Sequence, residues 1–358
     1  MNNRFSDKLI AWYELNKRDL PWRKTRDPYA IWVSEVILQQ TRVAQGLCYY
    51  LKFLEAFPTI EDLADAPVDD VMKVWQGLGY YTRARNMQVA ARQVLNDFAG
   101  EIPHTYEGLR KLKGVGDYTA SAIGAFAFDI PRPAVDGNVY RIISRLFGVS
   151  TPIDTLAGQK ELYQLAFEVL DKDRPALFNQ AIMDFGGTLC TPKNPRCGDC
   201  PANDMCYALR NNCVGNLPAK SKKVKVSKRY FSFLMIKYKD YTFIRQRTDK
   251  DIWHSLYEFP LIETPRKVGV KTLEKTPEWR EWFGDIKPAI RHASEIIKYM
   301  LSHQYIFTRF YIIEADKLPY ALASNFIKVK ISDVSDYSTP RLIDSYMAAE
   351  PVEKYFIG

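Results

Sequence analysis

The sequence predicts a multidomain chain, an all-α N-terminal part followed by an α+β domain. Three observations carry that prediction. At 358 residues and 47% hydrophobic composition, the chain has material for two or three separate cores. Up to about residue 210 the apolar residues recur at helical spacing. Beyond about residue 229 the apolar runs turn β-like, and the segment between them is basic.

The helical part reads in order. DPYAIWVSEVILQQT opens with Asp27 as N-cap and Pro28 at the first helical position. Tyr29, Trp32, Val33, Val36 and Ile37 follow at helical spacing. DDVMKVWQ is a second helix that stops at Gly77, and GLGYY follows it. RARNMQVAARQVLNDF is a third. TYEGLRKL and YTASAIGAFAF are two helices around a tight GVG turn. DTLAGQKELYQLAFEVL and ALFNQAIMDFGGTLC complete the series. After Cys213, NLPAKSKKVKVSKR carries six basic residues from Lys220 to Arg229 and no acid, as a linker would. YFSFLMIKY, YTFIRQR and YIFTRFYII then read as strands.

The net charge of +8 and a pI near 9.0, with 22 Tyr and 7 Trp interleaved, fit an anionic partner, nucleic acid first. A merely soluble basic protein carries the same charge. The chain shows no signal-like N-terminus and no stretch of about 18 apolar residues, so an intracellular protein without membrane contact is expected.

Four cysteines stand close together, Cys190, Cys197, Cys200 and Cys206, spaced C-x6-C-x2-C-x5-C. Thiolates this near to one another can all face one centre if they hold a metal or cluster. Zinc ribbons bring two C-x2-C pairs together from about 15–20 residues apart. Only one such pair exists here, and four thiolates suit a 4Fe-4S cluster. Zinc and disulfides are the alternatives. Cys48 and Cys213 are left over and read as structural.

Gly114-Val115-Gly116 lies between two apolar helices. Glycines let backbone approach a phosphate, and the next helix N-terminus offers free N–H groups to an anion. A structural turn has the same sequence, so the signal gains force only beside the cysteine run. Two acids stand in apolar company. Glu35 lies inside WVSEVILQQT, where the polar edge of a helix is the plain alternative. Asp136 lies in AVDGNVYR at a helix start, where an N-cap is the plain alternative. As a pair, one protonated and one ionised, they suit cleavage of a glycosidic bond.

SEVILQQT, GLGYYTRARN, LKGVGDYTASAI, VDGNVYR and the cysteine run resemble, in order and spacing, the adenine DNA glycosylases of the MutY type, within the endonuclease III helix-hairpin-helix superfamily. The resemblance is dense over roughly residues 20–210 and looser beyond. It implies a six-helix barrel at 27–133 carrying the hairpin, and a cluster domain formed by 1–26 and 134–213. It further implies a linker at 214–228 and a Nudix-like domain at 229–358, here without a Nudix hydrolase signature. The implied activity is monofunctional removal of adenine opposite 8-oxoguanine or guanine in double-stranded DNA, by a monomer holding a 4Fe-4S cluster on the four cysteines.

The resemblance also assigns roles. Glu35 protonates the flipped adenine and then activates water, and Asp136 stabilises the cationic sugar. Asn138 and Tyr118 orient them. Tyr118 stands where the strand-cleaving branch carries lysine, so no Schiff base is expected. Lys113, Gly114, Val115 and Gly116 face phosphate, and Asp117 is an unusual acid beside that grip. Gln40 and Tyr80 wedge into the duplex near the oxidised base, although a core aromatic is the plain reading of Tyr80. Trp22 and Arg23 in LPWR belong to a motif near the site. Leu301-Ser302-His303 stands where the family has Phe-Ser-His, a loop that contacts 8-oxoguanine. A thymine- or uracil-removing relative and a non-catalytic iron–sulfur DNA-binding protein are the rival readings.

Overall fold

The computed structural model describes residues 2–221, 226–301 and 303–350. The chain divides into two compact units, residues 1–66 with 86–223, and residues 67–85 with 224–358. Among the described residues, no helix is long and apolar enough to cross a membrane.

The first unit is helical. Its helices are α1 (Asn2–Asn16), α2 (Pro28–Leu38), α3 (Val43–Ala56) and α4 (Ile60–Asp65). After α5 (Val68–Trp75), which belongs to the second unit, come α6 (Thr82–Asp97), α7 (Tyr106–Lys111) and α8 (Asp117–Phe128). Then follow α9 (Gly137–Phe147), α10 (Leu156–Val169), α11 (Pro175–Thr188) and α12 (Tyr207–Arg210). Asp27 caps α2 as its sequence predicts, accepting from the Tyr29 and Ala30 amides at 3.1 Å each. Every residue from Tyr29 to Ile37 is buried, because α2 packs between α3 and α8 and has no solvent face. Phe5, Leu9 and Tyr13 of α1 share a core with Val139 and Ile142 of α9, Leu162 of α10 and Phe185 of α11. That core holds the start of α9, and with it Asp136.

The second unit is built on a sheet. Its strands are β1 (Ser227–Lys237), β2 (Tyr241–Gln246), β3 (Tyr257–Glu258) and β4 (Leu261–Thr264). They continue with α13 (Val270–Leu273), α14 (Pro277–Phe283), β5 (Ala289–Ala293), β6 (Ile297–Met300), β7 (Gln304–Glu314), α15 (Tyr320–Asn325), β8 (Ile327–Lys330) and α16 (Arg341–Ala349). Strands β4, β1, β7 and β5 lie in that order, with β6 also paired to β7. β1 and β7 run parallel, with Phe233 opposite Phe310. Three further strands pair as β3-β2-β8.

Successive residues of β1 serve opposite faces. Phe231, Phe233 and Met235 join Phe310, Leu342 and Tyr346 on one side. Leu234 and Ile236 join Trp279, Phe283 and Tyr311 on the other. Both faces are covered, so the strand reads as an unbroken apolar run rather than an alternation.

Candidate active site

Glu35 sits in the middle of α2, and its burial follows from the absence of any solvent face on that helix. One donor reaches it: the Tyr118 hydroxyl, from the first turn of α8, donates to Oε2 at 2.8 Å. Burial pushes the Glu35 carboxyl up to about 7, and the nearby Asp136 charge adds to the rise. The Tyr118 bond and the Arg23 charge oppose it. Tyr118 is itself raised well above its usual range by burial, so it remains a neutral donor.

Asp136 has a different setting. It is the N-cap of α9: Oδ1 accepts from the Asn138 and Val139 amides, each at 2.8 Å, and Oδ2 from the Asn138 side chain at 2.8 Å. Burial raises this carboxyl too, but those three donors and the Arg141 charge oppose the rise. Asn138 is held in turn by Arg141, which donates to its side-chain oxygen at 2.9 Å and to the Cys190 carbonyl at 2.8 Å. Gly186 of α11 lets this happen, since a Cβ there would come within 2.6 Å of the Asn138 Cβ.

Glu35, Tyr118, Asp136, Asn138 and Arg23 line one pocket of about 480 Å³. That volume accommodates a nucleobase-sized ligand. The sequence reading missed Asp184, which holds two of the arginines that line the pocket. This acid is fully buried in α11, where it accepts from Arg23 Nη1 and Nη2 at 2.7 Å each and from Arg18 Nε at 2.8 Å. Burial would raise Asp184, but the two arginines hold it below the usual carboxylate range. The signal was present: AIMDFGG is an acid in an apolar helix, the same signal that singled out Glu35. Arg18, Gln180 and Met183 also line the pocket and carried no such signal.

The hairpin lies between α7 and α8. Gly114 has φ +80°, and a Cβ there would meet the Asn86 Cβ at 2.7 Å, so only glycine fits. Val115 is buried, while Lys113, Gly114 and Gly116 are exposed. Asp117, the unusual acid, forms an ion pair with Arg110 at 2.7 Å and accepts from the Tyr106 hydroxyl at 2.8 Å. Gln40 is exposed just past α2 with φ +56°. Tyr80 and His303 are exposed and belong to the second unit. Ser302 lies outside the described residues.

Cys190, Cys197, Cys200 and Cys206 line one cavity together with Arg145. Burial raises the thiols of Cys197 and Cys200, the latter to about 11, and the neighbouring cysteines raise them further. Two thiols disfavoured as anions by burial and by neighbouring sulfurs suit a cationic centre that would offset both. No three or more His, Cys, Asp or Glu among the described residues are arranged to hold a single ion.

Residues 33–165 match the HhH-GPD superfamily of base excision DNA repair proteins. The chain is 33% identical to the adenine DNA glycosylase of Mus musculus, covering 89% of this chain and 72% of that one. It is 35% identical to the adenine DNA glycosylase of Buchnera aphidicola (strain Sg), covering 75% and 77%. Among solved structures, a thermostable thymine-DNA glycosylase is similar at 31% identity and TM-score 0.55, over 58% of this chain and 95% of that one. An endonuclease III–DNA complex at 24% identity and TM-score 0.51 shares the fold of the same part, over 58% and 94%. The identity to the adenine-specific enzymes extends well past the part shared with those structures, and the chain belongs to the adenine DNA glycosylase family, DNA-binding base excision repair enzymes that hydrolyse N-glycosyl bonds.

Proposed function

We propose that this enzyme removes adenine opposite 8-oxoguanine, or guanine, and leaves the strand uncut. The observation that carries the reading is the pairing of two desolvated carboxylates with unequal support in one pocket. Glu35, half protonated near neutrality, gives a proton to N7 of the extruded adenine and so makes it a leaving group. Extrusion itself costs a few kcal/mol, which binding must supply. Asp136, held by the α9 amides and Asn138, stays ionised and stabilises the oxocarbenium-like sugar. Glu35, now a carboxylate, takes a proton from the attacking water. Tyr118 offers no amine, so no Schiff base forms.

Lys113 and the backbone of Gly114 to Gly116, with the start of α8, grip a DNA phosphate. Gln40, Tyr80 and the loop carrying Ser302 and His303 read the opposite base. Leu301 supplies less stacking there than an aromatic would. The four cysteines fit a 4Fe-4S cluster, which when bound serves to tie the 190–206 loop together. The same reading takes the chain as an intracellular monomer, with a six-helix barrel at 27–133 and a cluster domain formed by 1–26 and 134–213. It takes 214–228 as the linker and 229–358 as a Nudix-like domain. The core that α1 shares with α9, α10 and α11 supports that division, although β1 already begins at Ser227.

Single-turnover excision on duplexes with A opposite 8-oxoguanine, G or T tests the reading. The fastest excision is expected opposite 8-oxoguanine, with negligible borohydride trapping of protein on DNA. Equal rates opposite all three bases, or efficient trapping, would overturn it. Purified protein should also be brown, with about four irons per chain. Stoichiometric zinc without iron would remove the cluster from the account.

A further inference from the structure

Tyr80 lies in the N-terminal half of the sequence, yet its loop belongs to the unit built from the C-terminal chain. The loop is strained. Tyr80 has φ +48°, a left-handed value that a tyrosine holds only when its surroundings dictate it. The residue is 47% exposed, as a side chain offered to a ligand would be.

Arg83 holds Tyr80 itself, its amide donating to the Tyr80 carbonyl at 2.9 Å and its guanidinium lying 5.6 Å from the ring centre, and further restraints fall on the residues either side. Trp75 Nε1 and Arg83 Nη2 both donate to the Gly79 carbonyl at 3.1 Å. The Gly77 amide donates to the Tyr81 hydroxyl at 3.2 Å, and that hydroxyl donates to the Thr339 carbonyl at 3.4 Å. Gln76 Nε2 donates to Asp344 Oδ1 at 2.6 Å, and the Thr339 hydroxyl donates to the same oxygen at 3.2 Å. Asp344 and Thr339 lie at the start of α16. They hold Gln76 and Tyr81, while Trp75 and Arg83 hold the Gly79 carbonyl.

We propose that Asp344, with Thr339, is a positioning residue for the Tyr80 loop, so that the C-terminal chain fixes the geometry of a reading residue contributed by the N-terminal half. This rests on the lesion-reading role proposed above for Tyr80. The β6–β7 turn that carries His303 is in the same unit. Tyr299 on β6 lies within electrostatic reach of Tyr80: its phenol is raised first by burial, is lowered by Arg341 and is raised again by Tyr80. The unit therefore holds two reading elements, and α16 braces one of them.

The full-length protein tests this with Asp344→Ala, Asp344→Asn, Tyr80→Ala and the Asp344→Ala/Tyr80→Ala double variant. The readouts are the preference for A opposite 8-oxoguanine over A opposite G, and amide exchange across residues 76–81 in the free protein. Asp344→Ala should lower the preference about three- to tenfold, the loss expected for one part-buried polar contact. It should also speed amide exchange in the loop. Asp344→Asn keeps the acceptor and should restore both readouts. In the Tyr80→Ala background, Asp344→Ala should cost nothing more in preference. Losses that multiply in the double variant would overturn the proposal, as would unchanged exchange in Asp344→Ala. Faster exchange, together with an unchanged preference in Tyr80→Ala, would instead overturn the lesion-reading role while leaving the brace standing. Should Asp344→Ala fail to fold, Gln76→Leu breaks the same bond from the other side and is judged by the same two outcomes.

Discussion

Glu35 and Asp136 line one pocket, yet the sequence delivers them by opposite routes. Glu35 comes from the middle of a helix buried on every side, where no backbone N–H is free and one hydroxyl is its donor. Asp136 comes from the start of a helix, where two free amides and an amide side chain converge on it. Both are desolvated. Burial raises both carboxyls, and the donors that oppose the rise are unequally supplied, three at Asp136 and one at Glu35. A mid-helix acid is a natural proton donor, and an N-cap acid a natural anion.

That contrast breaks most sharply on substitution. Glu35→Gln and Asp136→Asn should each lower single-turnover excision by about 10²–10⁴-fold, the range for acid–base assistance. DNA binding should be largely kept. Asparagine is also a good N-cap, so Asp136→Asn should lose excision with little loss of thermal stability. Asp136→Ala should lose excision and about 0.5–2 kcal/mol as well. If Asp136→Asn excises normally, its carboxylate is only a cap and the pair has no chemical meaning.

The pH dependence gives a smaller but signed effect. Glu35 is raised to about 7, so the proton-bearing form is lost as pH rises through that value. Excision should fall on the alkaline side, approaching tenfold per pH unit. Stability carries the same sign. A carboxyl raised in the folded state stabilises below its unfolded value, and that contribution is lost as pH rises through the folded value. Glu35→Gln should therefore gain in melting temperature over wild type between about pH 4.5 and 7, and the gain should level above that. A constant difference across that window would place Glu35 in a wetter setting than α2 provides.

How much of this was legible in the sequence follows from what each signal depends on. The Asp27 cap, the α7–α8 hairpin and the apolar run of β1 are local patterns, and each lies where the sequence put it. The burial of Glu35 was half legible: the apolar neighbours were visible, but a polar edge was an equal reading until α3 and α8 closed over it. Asp184 showed the same local signal as Glu35, an acid in an apolar helix, but its role became legible only through Arg18 and Arg23, more than 150 residues away. The short strands β3, β4 and β6 left no signal, since two to four residues carry no period, and the pairing of β4 with β1 is long-range. The bracing of the Tyr80 loop by α16 was beyond any local pattern for the same reason.

Tyr118→Phe gives the smallest effect and separates the donor from the dielectric. The Tyr118 hydroxyl lowers the Glu35 value that burial raises. Phenylalanine keeps the ring and the dryness and removes only the donor. Glu35 should then hold its proton to higher pH, and the alkaline limb of excision should move upward. The rate at neutral pH should fall less than about tenfold, since one hydrogen bond nets about 0.5–1.5 kcal/mol. The direction of the limb is the decisive readout. A general loss of folding lowers the amplitude without moving the limb, and wetting of the pocket moves it down. An upward move means that Glu35 sits between two opposed influences, a helix with no solvent face and one phenol, and that the second trims what the first imposes.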